Sequence, residues 1–211
     1  MKNTSGGSFM RVNKSDTEIE LWLAVKVTDN NGKVISRQRR RRSHSYVQGW
    51  NWVVCAQFLS QSNPSPPLGT VRNTAGGYVN LRTSGSPFRC NAGAGVTNIG
   101  IRVGTDNTPV AITDYALKVP IGEGTGSGQM EHQAQTFTWI GVAGNVCSFQ
   151  TERVIVNNSG AQINVREAAI YMMAYRYPTT GTEICASRDL ISQDVPNGGS
   201  ITVTYTVRVV A

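Results

Sequence analysis

The sequence predicts a mainly β protein, an antiparallel β-sandwich or jelly-roll-like fold, with one helix near residues 46–61. The first observation is composition: 22 of the 211 residues are glycine and only 16% are charged, below the usual quarter. Frequent Thr, Val, Ser and Asn suit strands joined by many turns. The second observation is period-two hydrophobic alternation, which recurs along the chain. The third is a helical period in one stretch only.

The N-terminal signal is a β-hairpin. Apolar residues occupy every second position of the stretch "EIELWLAVKV", namely Ile19, Leu21, Leu23, Val25 and Val27. The residues "DNNG" at positions 29–32 tolerate the backbone angles of a tight turn. We therefore expect a returning strand from Lys33 to about Arg39.

The predicted helix follows the hairpin. Val47, Trp50, Val54 and Phe58 recur at spacings of three and four residues, which places them on one helical face. Ser43 or Ser45 would cap the N-terminus, and the proline-rich stretch "SNPSPP" at 62–67 ends the helix. The four consecutive arginines at 39–42 are then expected at the join between the second strand and this helix.

The C-terminal half predicts further strands. Alternating runs such as "NIGIRVG", "CSFQTERVIV" and "SITVTYTVRVV" are separated by the turn signals "NNSG" and "PNGG". We expect a single β-rich structural domain over residues 1–211, in which a hairpin-helix part, about 17–61, packs on the C-terminal sandwich. The predicted core residues are Leu21, Leu23, Val25, Val203, Tyr205 and Val207.

Charge and cysteine content narrow the class of protein. The net charge is +7, and it comes largely from Lys33 and the run from Arg37 to Arg42. Cys55, Cys90, Cys147 and Cys185 form no CxxC pair, so we expect no zinc site. We expect reduced thiols, with disulfides as the alternative if the protein later works outside a cell. No stretch has the apolar length of a signal peptide core or a membrane span, which favours synthesis in the cytoplasm and no membrane partner.

Catalytic motifs are weak. His44 and His132 lie in no recognisable nucleophile, metal or triad pattern, and Glu131 beside His132 is expected to be a surface pair. The spacing of Asp106, Asp114 and Glu123 matches no calcium loop. The glycine-rich stretch "GEGTGSG" at 122–128 lacks the lysine of a phosphate-binding loop. We predict that the protein is not an enzyme and has no cofactor, bound metal or small-molecule substrate.

The arginine run has three interpretations: phosphate binding with Trp50 and Trp52 as base-stacking partners, a solvated strand end, or a contact with acidic residues of a neighbouring subunit. An extended chain points alternate side chains to opposite faces, which weakens a one-sided phosphate-binding surface. Arginine also pairs well with carboxylates. We therefore predict inter-subunit contacts by Arg39, Arg40, Arg41 and Arg42.

The order of motifs in this chain resembles that of β-rich virion structural proteins of tailed bacteriophages. The resemblance is carried by "NIGIRVGTDNTPVAITDYALKVPIGEGTGSGQMEH", by "FQTERVIVNNSGAQINVREAAIYMM" and by "ICASRDLISQDVPNGGSITVTYTVRV", and it extends over most of residues 18–210. The N-terminal hairpin and the stretch "SYVQGWNWVVCAQF" are also similar to that group. This chain departs from the group at the arginine run, and at "AAIYMM", where Gly-Leu-Tyr is usual.

The resemblance implies a virion structural protein, capsid-associated or in the tail or fibre, made in the host cytoplasm and located in the virion. Its implied partners are further copies of the chain and other virion proteins. One alternative is a carbohydrate- or receptor-binding fibre module that would use exposed aromatic residues, with candidates Tyr78, Trp139, Tyr175 and Tyr177. Another is a capsid protein that contacts nucleic acid through Arg37 to Arg42.

Overall fold

A computed structural model of the protein describes residues 18–43, 46–47, 49–50, 70–80, 88–175 and 180–210. The β-strands in these ranges are β1 (Glu18–Thr28), β2 (Val34–Ser43), β3 (Thr70–Arg72), β4 (Tyr78–Asn80), β5 (Gly100–Gly104), β6 (Glu131–His132), β7 (Thr136–Ala143), β8 (Val146–Val156), β9 (Ile163–Tyr175), β10 (Gly181–Val195) and β11 (Ser200–Val210).

Two antiparallel sheets face each other across the core. The larger, six-stranded sheet has the order β2-β1-β11-β8-β6, and β7 pairs with β8 on the same side as β6. The smaller sheet has the order β10-β9-β5, and β3 pairs with β4 separately. One hydrophobic cluster draws its side chains from both main sheets. The predicted mainly β, sandwich-like architecture is confirmed.

The predicted core residues lie between these sheets. Leu23 pairs with Tyr205 and Val25 pairs with Val203, so these side chains share one face. Together with Leu21, they are at most 3% exposed. Val207, also predicted as core, is only partly buried. It lies near the end of the sheet, next to a phenylalanine of β8 that is 37% exposed.

The N-terminal hairpin belongs to the six-stranded sheet. Its turn is closed by a hydrogen bond from the Asp29 amide to the Lys33 carbonyl (2.9 Å), and Gly32 has a φ of 76°. Strand β1 pairs with β2 on one side and with β11 on the other. The hairpin therefore extends the sandwich instead of packing on it as a separate part.

The arginine run lies within strand β2. We expected the strand to end near Arg39, with the run forming a join, but pairing continues to Ser43, which lies opposite Leu21. The reason is that β1 presents a partner of similar length: its 11 residues continue the pairing past all four arginines, with one irregularity at Arg39 and Arg40.

Most of the predicted helix near residues 46–61 falls outside the described residues. Within the described part, Gly49 and Trp50 have helical backbone, and Tyr46 bridges to Ser187 of β10. Glycine is required at position 49 because an added Cβ would clash with the carbonyl oxygen of Cys185. His44, Trp52, Cys55 and Tyr177 also lie outside the described residues.

Candidate functional site

A β-bulge sets the direction of the arginine side chains. Arg41 lies opposite Leu23 and Gln38 lies opposite Val25, so Arg39 and Arg40 together face Ala24. A bulge places an extra residue on one strand and breaks the strict alternation of side chains. Arg39 and Arg40 consequently point to the same side of the sheet, away from the core.

The bulge creates a one-sided basic surface, which corrects the expectation that alternation would spread the charge. Arg37 lies opposite Lys26 and Arg42 opposite Trp22, two outward-facing positions of β1. Of the run, only Arg41 lies on the side of the sheet that faces β10; it remains exposed there, and its guanidinium donates a hydrogen bond to the Leu190 carbonyl (2.6 Å). We define the basic face as the outward-facing cations of β1, β2 and β11: Lys26, Arg37, Arg39, Arg40, Arg42 and Arg208.

A tryptophan organises one end of the basic face. The guanidinium carbons of Arg40 and Arg208 lie 5.0 and 5.5 Å from the centre of the Trp22 ring, within cation–π range. Glu20 accepts a hydrogen bond from Nε1 of Trp22 (2.8 Å) and lies 3.7 Å from Arg42 and 3.5 Å from Arg208. Partial burial and the charge of Arg208 lower the pKa of Arg40, and Glu20 acts in the opposite direction.

A groove of about 390 Å³ lies over Ala24 on the same side of the sheet, and Arg40 is among the residues that line it. The small side chain of Ala24 leaves room at its base, and cations of β1 and β2 line one side. Thr202, Thr204 and Glu152 line the other side, where Glu152 accepts a hydrogen bond from the Thr204 hydroxyl (2.8 Å). The groove is therefore lined by cations on one side, which suits an anionic ligand, and by one carboxylate held by a threonine on the other side.

The other edge of the same sheet is apolar. Strand β7 contains no charged residue, and it exposes Phe137, Trp139, Ile140 and Val142 by 47%, 68%, 55% and 73%. A bulge near Gly141 breaks its alternation. The sequence predicted Trp139 as an exposed aromatic residue but did not predict this strand. The available signal was the Gly144-Asn145 turn that follows it, where Gly144 has a φ of 57°.

Among the described residues, the predicted aromatic candidates Tyr78 and Tyr175 lie on other strands than Trp139. Tyr78 is 76% exposed on β4, whereas Tyr175 is half-buried at the end of β9. Trp50 stacks on Tyr46 with ring centres 4.8 Å apart, against the core. Tyr78, Tyr175 and Trp139 therefore lie on three different strands, and Trp50 belongs to the packing around the core.

The buried charges hold loops onto the smaller sheet. Arg188, fully buried, donates hydrogen bonds to Glu167 (2.7 Å) and Asp114 (3.0 Å), and it lies 3.5 Å from Asp106. Asp189 accepts hydrogen bonds from Ser43 and Tyr205 instead, on the opposite side of β10. The Arg188–Asp114–Asp106 contacts fix the loop before β6, so these carboxylates act as structural partners of arginine.

His132 is buried and not part of a surface pair with Glu131, as the sequence suggested. Its Nδ1 lies 2.8 Å from Glu123, whereas Glu131 accepts a hydrogen bond from Asn158. Burial, with the charges of Arg153 and Arg102, lowers the pKa of His132 to about 4, and Glu123 opposes the shift. The ring is therefore neutral at pH 7 and has no direct access to solvent.

The glycine-rich loop is filled by its own chain. The side-chain carbonyl of Gln129 accepts a hydrogen bond from the Gly126 amide (3.0 Å), and a Cβ at Gly124 or Gly126 would meet that same carbonyl oxygen. The glycines make room for glutamine. Within the described residues, histidine, cysteine and carboxylate side chains form no group of three that could hold a metal ion.

No family model, curated protein or solved structure matches the chain. The phage resemblance therefore rests on the quoted motifs alone. In the described part of the chain, there is no helix with both the length and the apolar character needed to cross a bilayer.

Proposed function

We propose that the protein is a structural component of a bacteriophage virion, capsid-associated or in the tail or fibre, that acts through protein–protein contacts. The motif resemblance supports the virion context. The observation that carries the contact role is the apolar edge strand β7, on which four of eight residues are large, apolar and exposed. Contiguous apolar surface of this kind commonly marks an interaction site.

The partner that best suits β7 is the same strand of a second copy. Strand addition needs a free edge and compatible side chains, and two uncharged β7 strands bring no like charges together. Pairing of β2 with β2 would instead bring the five arginines of one copy next to the five arginines of the other. Antiparallel pairing of β7 with β7 joins two sheets about a twofold axis. It separates the two β2 edges by about 40 Å, several screening lengths at physiological salt.

The virion role is tested on purified particles. Density-purified virions of the phage that encodes the chain should contain it at a constant ratio to the major capsid protein, as measured by quantitative mass spectrometry. Its absence from intact particles would refute the virion role, whatever the behaviour of the isolated chain.

A pair of variants tests the contact strand. Trp139→Lys should reduce incorporation into particles, because it places a charge on the apolar edge. Tyr78→Lys is the matched control, since Tyr78 is equally exposed but lies on β4, outside the six-stranded sheet. Equal incorporation of both variants would exclude β7 as the contact.

A further inference from the structure

We infer that the basic face binds the phosphodiester backbone of nucleic acid. This assigns a second partner class to the protein and does not depend on the virion role, because it concerns the purified chain. The binding is expected to be independent of base sequence. It replaces the expected pairing of Arg39 to Arg42 with acidic residues of a neighbouring subunit, whose main argument was side-chain alternation along the strand.

The first support is an excess of positive charge. The basic face carries six cations. The described acidic side chains on the same side of the sheet are Glu20, Glu152 and, on strand β6, Glu131, which accepts a hydrogen bond from Asn158. Glu20 is already engaged by Trp22 and by two arginines, and Glu152 by Thr204. Within the described residues, no carboxylate lies within ion-pair distance of Lys26, Arg37 or Arg39. Those three charges remain available to a ligand.

The second support is the shape of the charged surface. The cations span about 15 Å along the strands and about 10 Å across three neighbouring strands. Duplex DNA carries one phosphate per ~1.7 Å of its axis when both strands are counted, so a segment of this length contains about nine phosphates, of which those on the near side can contact the face. The groove over Ala24 lets the ligand approach the cations of β1 and β2 closely, whereas the Thr204 hydroxyl on its other side is already bonded to Glu152.

Trp22 explains why the contact should ignore base sequence. Arg40 and Arg208 lie over its ring, so the ring is not available to stack on a base. The remaining groups are guanidinium, ammonium and hydroxyl, which bind phosphate oxygens and position a nucleic acid without reading it.

An acidic protein segment fits the face less well. Four or more cations on one surface require a partner with a negative charge on nearly every repeat unit, which nucleic acid provides along its whole length. A second copy of this chain does not provide it, since the chain has 13 acidic against 20 basic residues. An acidic protein partner is therefore the rival outcome of the test.

The experiment measures the salt dependence of binding. Anisotropy titrations of the purified full-length chain would use a labelled 20-base-pair mixed-sequence duplex between 50 and 200 mM NaCl. With about four phosphate contacts, the logarithm of the binding constant should fall with the logarithm of salt with a slope of about −3.6, or roughly 100-fold over this range. A second duplex of unrelated sequence should bind equally.

The bulge supplies a matched pair of variants. Arg39→Gln with Arg40→Gln should reduce the magnitude of the slope by about 2, since each contact contributes about 0.9. Arg41→Gln, in the same run but on the side of the sheet that faces β10, should leave it unchanged. Circular dichroism would confirm that both variants fold, and Arg37→Gln with Lys26→Gln serves as a second test of the face.

Several results would overturn the inference. One is absence of binding at 50 mM NaCl, and another is a slope that Arg41→Gln reduces as much as the double variant does. A third is stronger competition by polyglutamate of matched charge than by unlabelled DNA, which would assign the face to an acidic protein partner.

Discussion

Strands β2 and β7 occupy opposite edges of the six-stranded sheet and carry opposite kinds of side chain. Strand β2 has five arginines, and β7 has none and exposes four large apolar residues. Each strand contains a bulge, near Arg39–Arg40 in β2 and near Gly141 in β7. Charges and bulges are both known means of preventing unwanted strand pairing at an edge. Strand β2 has both means, whereas β7 has only the bulge.

This difference separates two kinds of interaction on one sheet. The arginines of β2 make edge-to-edge pairing unfavourable, and the bulge directs them to the outer face, where they meet Lys26 and Arg208. The uncharged β7 leaves backbone groups and apolar side chains accessible to a further strand. This difference is the basis of the two proposals, a polyanion on the face near the β2 edge and a second copy at the β7 edge.

The largest expected effect comes from the core that both edges share. Leu23→Asp places an unpaired carboxylate at a position with 0% exposure, between β2 and β11, and should destabilise the fold by more than about 5 kcal/mol and abolish soluble expression. Ile19→Asp, on the same face of β1 but 57% exposed, should remain folded. A soluble Leu23→Asp variant with a normal thermal transition would contradict the assigned register.

The second-largest expected effect is on self-association, which should depend on the β7 edge and not on the β2 edge. Trp139→Lys places a lysine on each β7 of the proposed dimer, so self-association should weaken by about 4 kcal/mol, roughly a thousand-fold. Arg39→Ser with Arg40→Ser should leave the dimer intact. Sedimentation velocity over a concentration series measures both. Dissociation of the arginine variant, with the tryptophan variant still dimeric, would contradict the assignment of self-association to β7.

The sequence predicted β1 and β11 well because each has one buried and one solvated face. The apolar residues that alternate along the two strands lie opposite each other in the sheet, Leu23 opposite Tyr205 and Val25 opposite Val203. Strand β10 shows no such alternation in the sequence. Its residues from Ile184 to Asp189 are all buried, because the core covers one face and the loop tied to Arg188 covers the other. A strand buried on both faces does not alternate.

The candidate site could be predicted only in part. The charge of Arg39 to Arg42 is evident in the sequence, but the bulge is not, since it arises where two residues of β2 meet Ala24 of β1. Strand β7 was missed for a related reason. Its bulge makes the consecutive residues Trp139 and Ile140 both exposed and apolar. The sequence of this strand therefore shows neither the two-residue period of a strand nor the 3.6-residue period of a helix. In both edges, the pairing partner decides the direction of the side chains.

A smaller effect should appear as the pH is lowered. His132, on β6, has a folded-state pKa of about 4, against about 6.5 when unfolded. Between these values the unfolded chain binds more protons, so the free energy of unfolding falls as the pH decreases from 6.5 to 4, by up to about 3 kcal/mol. The β6–β7 edge should lose amide protection first, whereas the arginines of β2 stay charged.

Hydrogen exchange with mass spectrometry checks this difference at pH 6.5 and 4.5, corrected for intrinsic exchange rates. Residues 131–143 should lose protection and residues 34–43 should retain it. His132→Gln should remove most of the pH dependence in this window. An unchanged dependence in that variant would show that other groups are responsible.

The smallest effect concerns the one carboxylate that lies among the arginines of the basic face. Glu20→Gln keeps an acceptor for Nε1 of Trp22 but removes the charge near Arg42 and Arg208, so the fold should change by less than about 1 kcal/mol. If phosphate binds this face, the variant should bind duplex DNA several-fold more tightly at 50 mM NaCl, with a slope steeper by about 1. Glu183→Gln, on the other sheet, should change neither the DNA affinity nor the slope.

Self-association through β7 should be the same in both variants, because Glu20 lies at the opposite side of the sheet. Equally tighter DNA binding in both variants would show that binding follows the net charge of the protein and is not localised to the basic face.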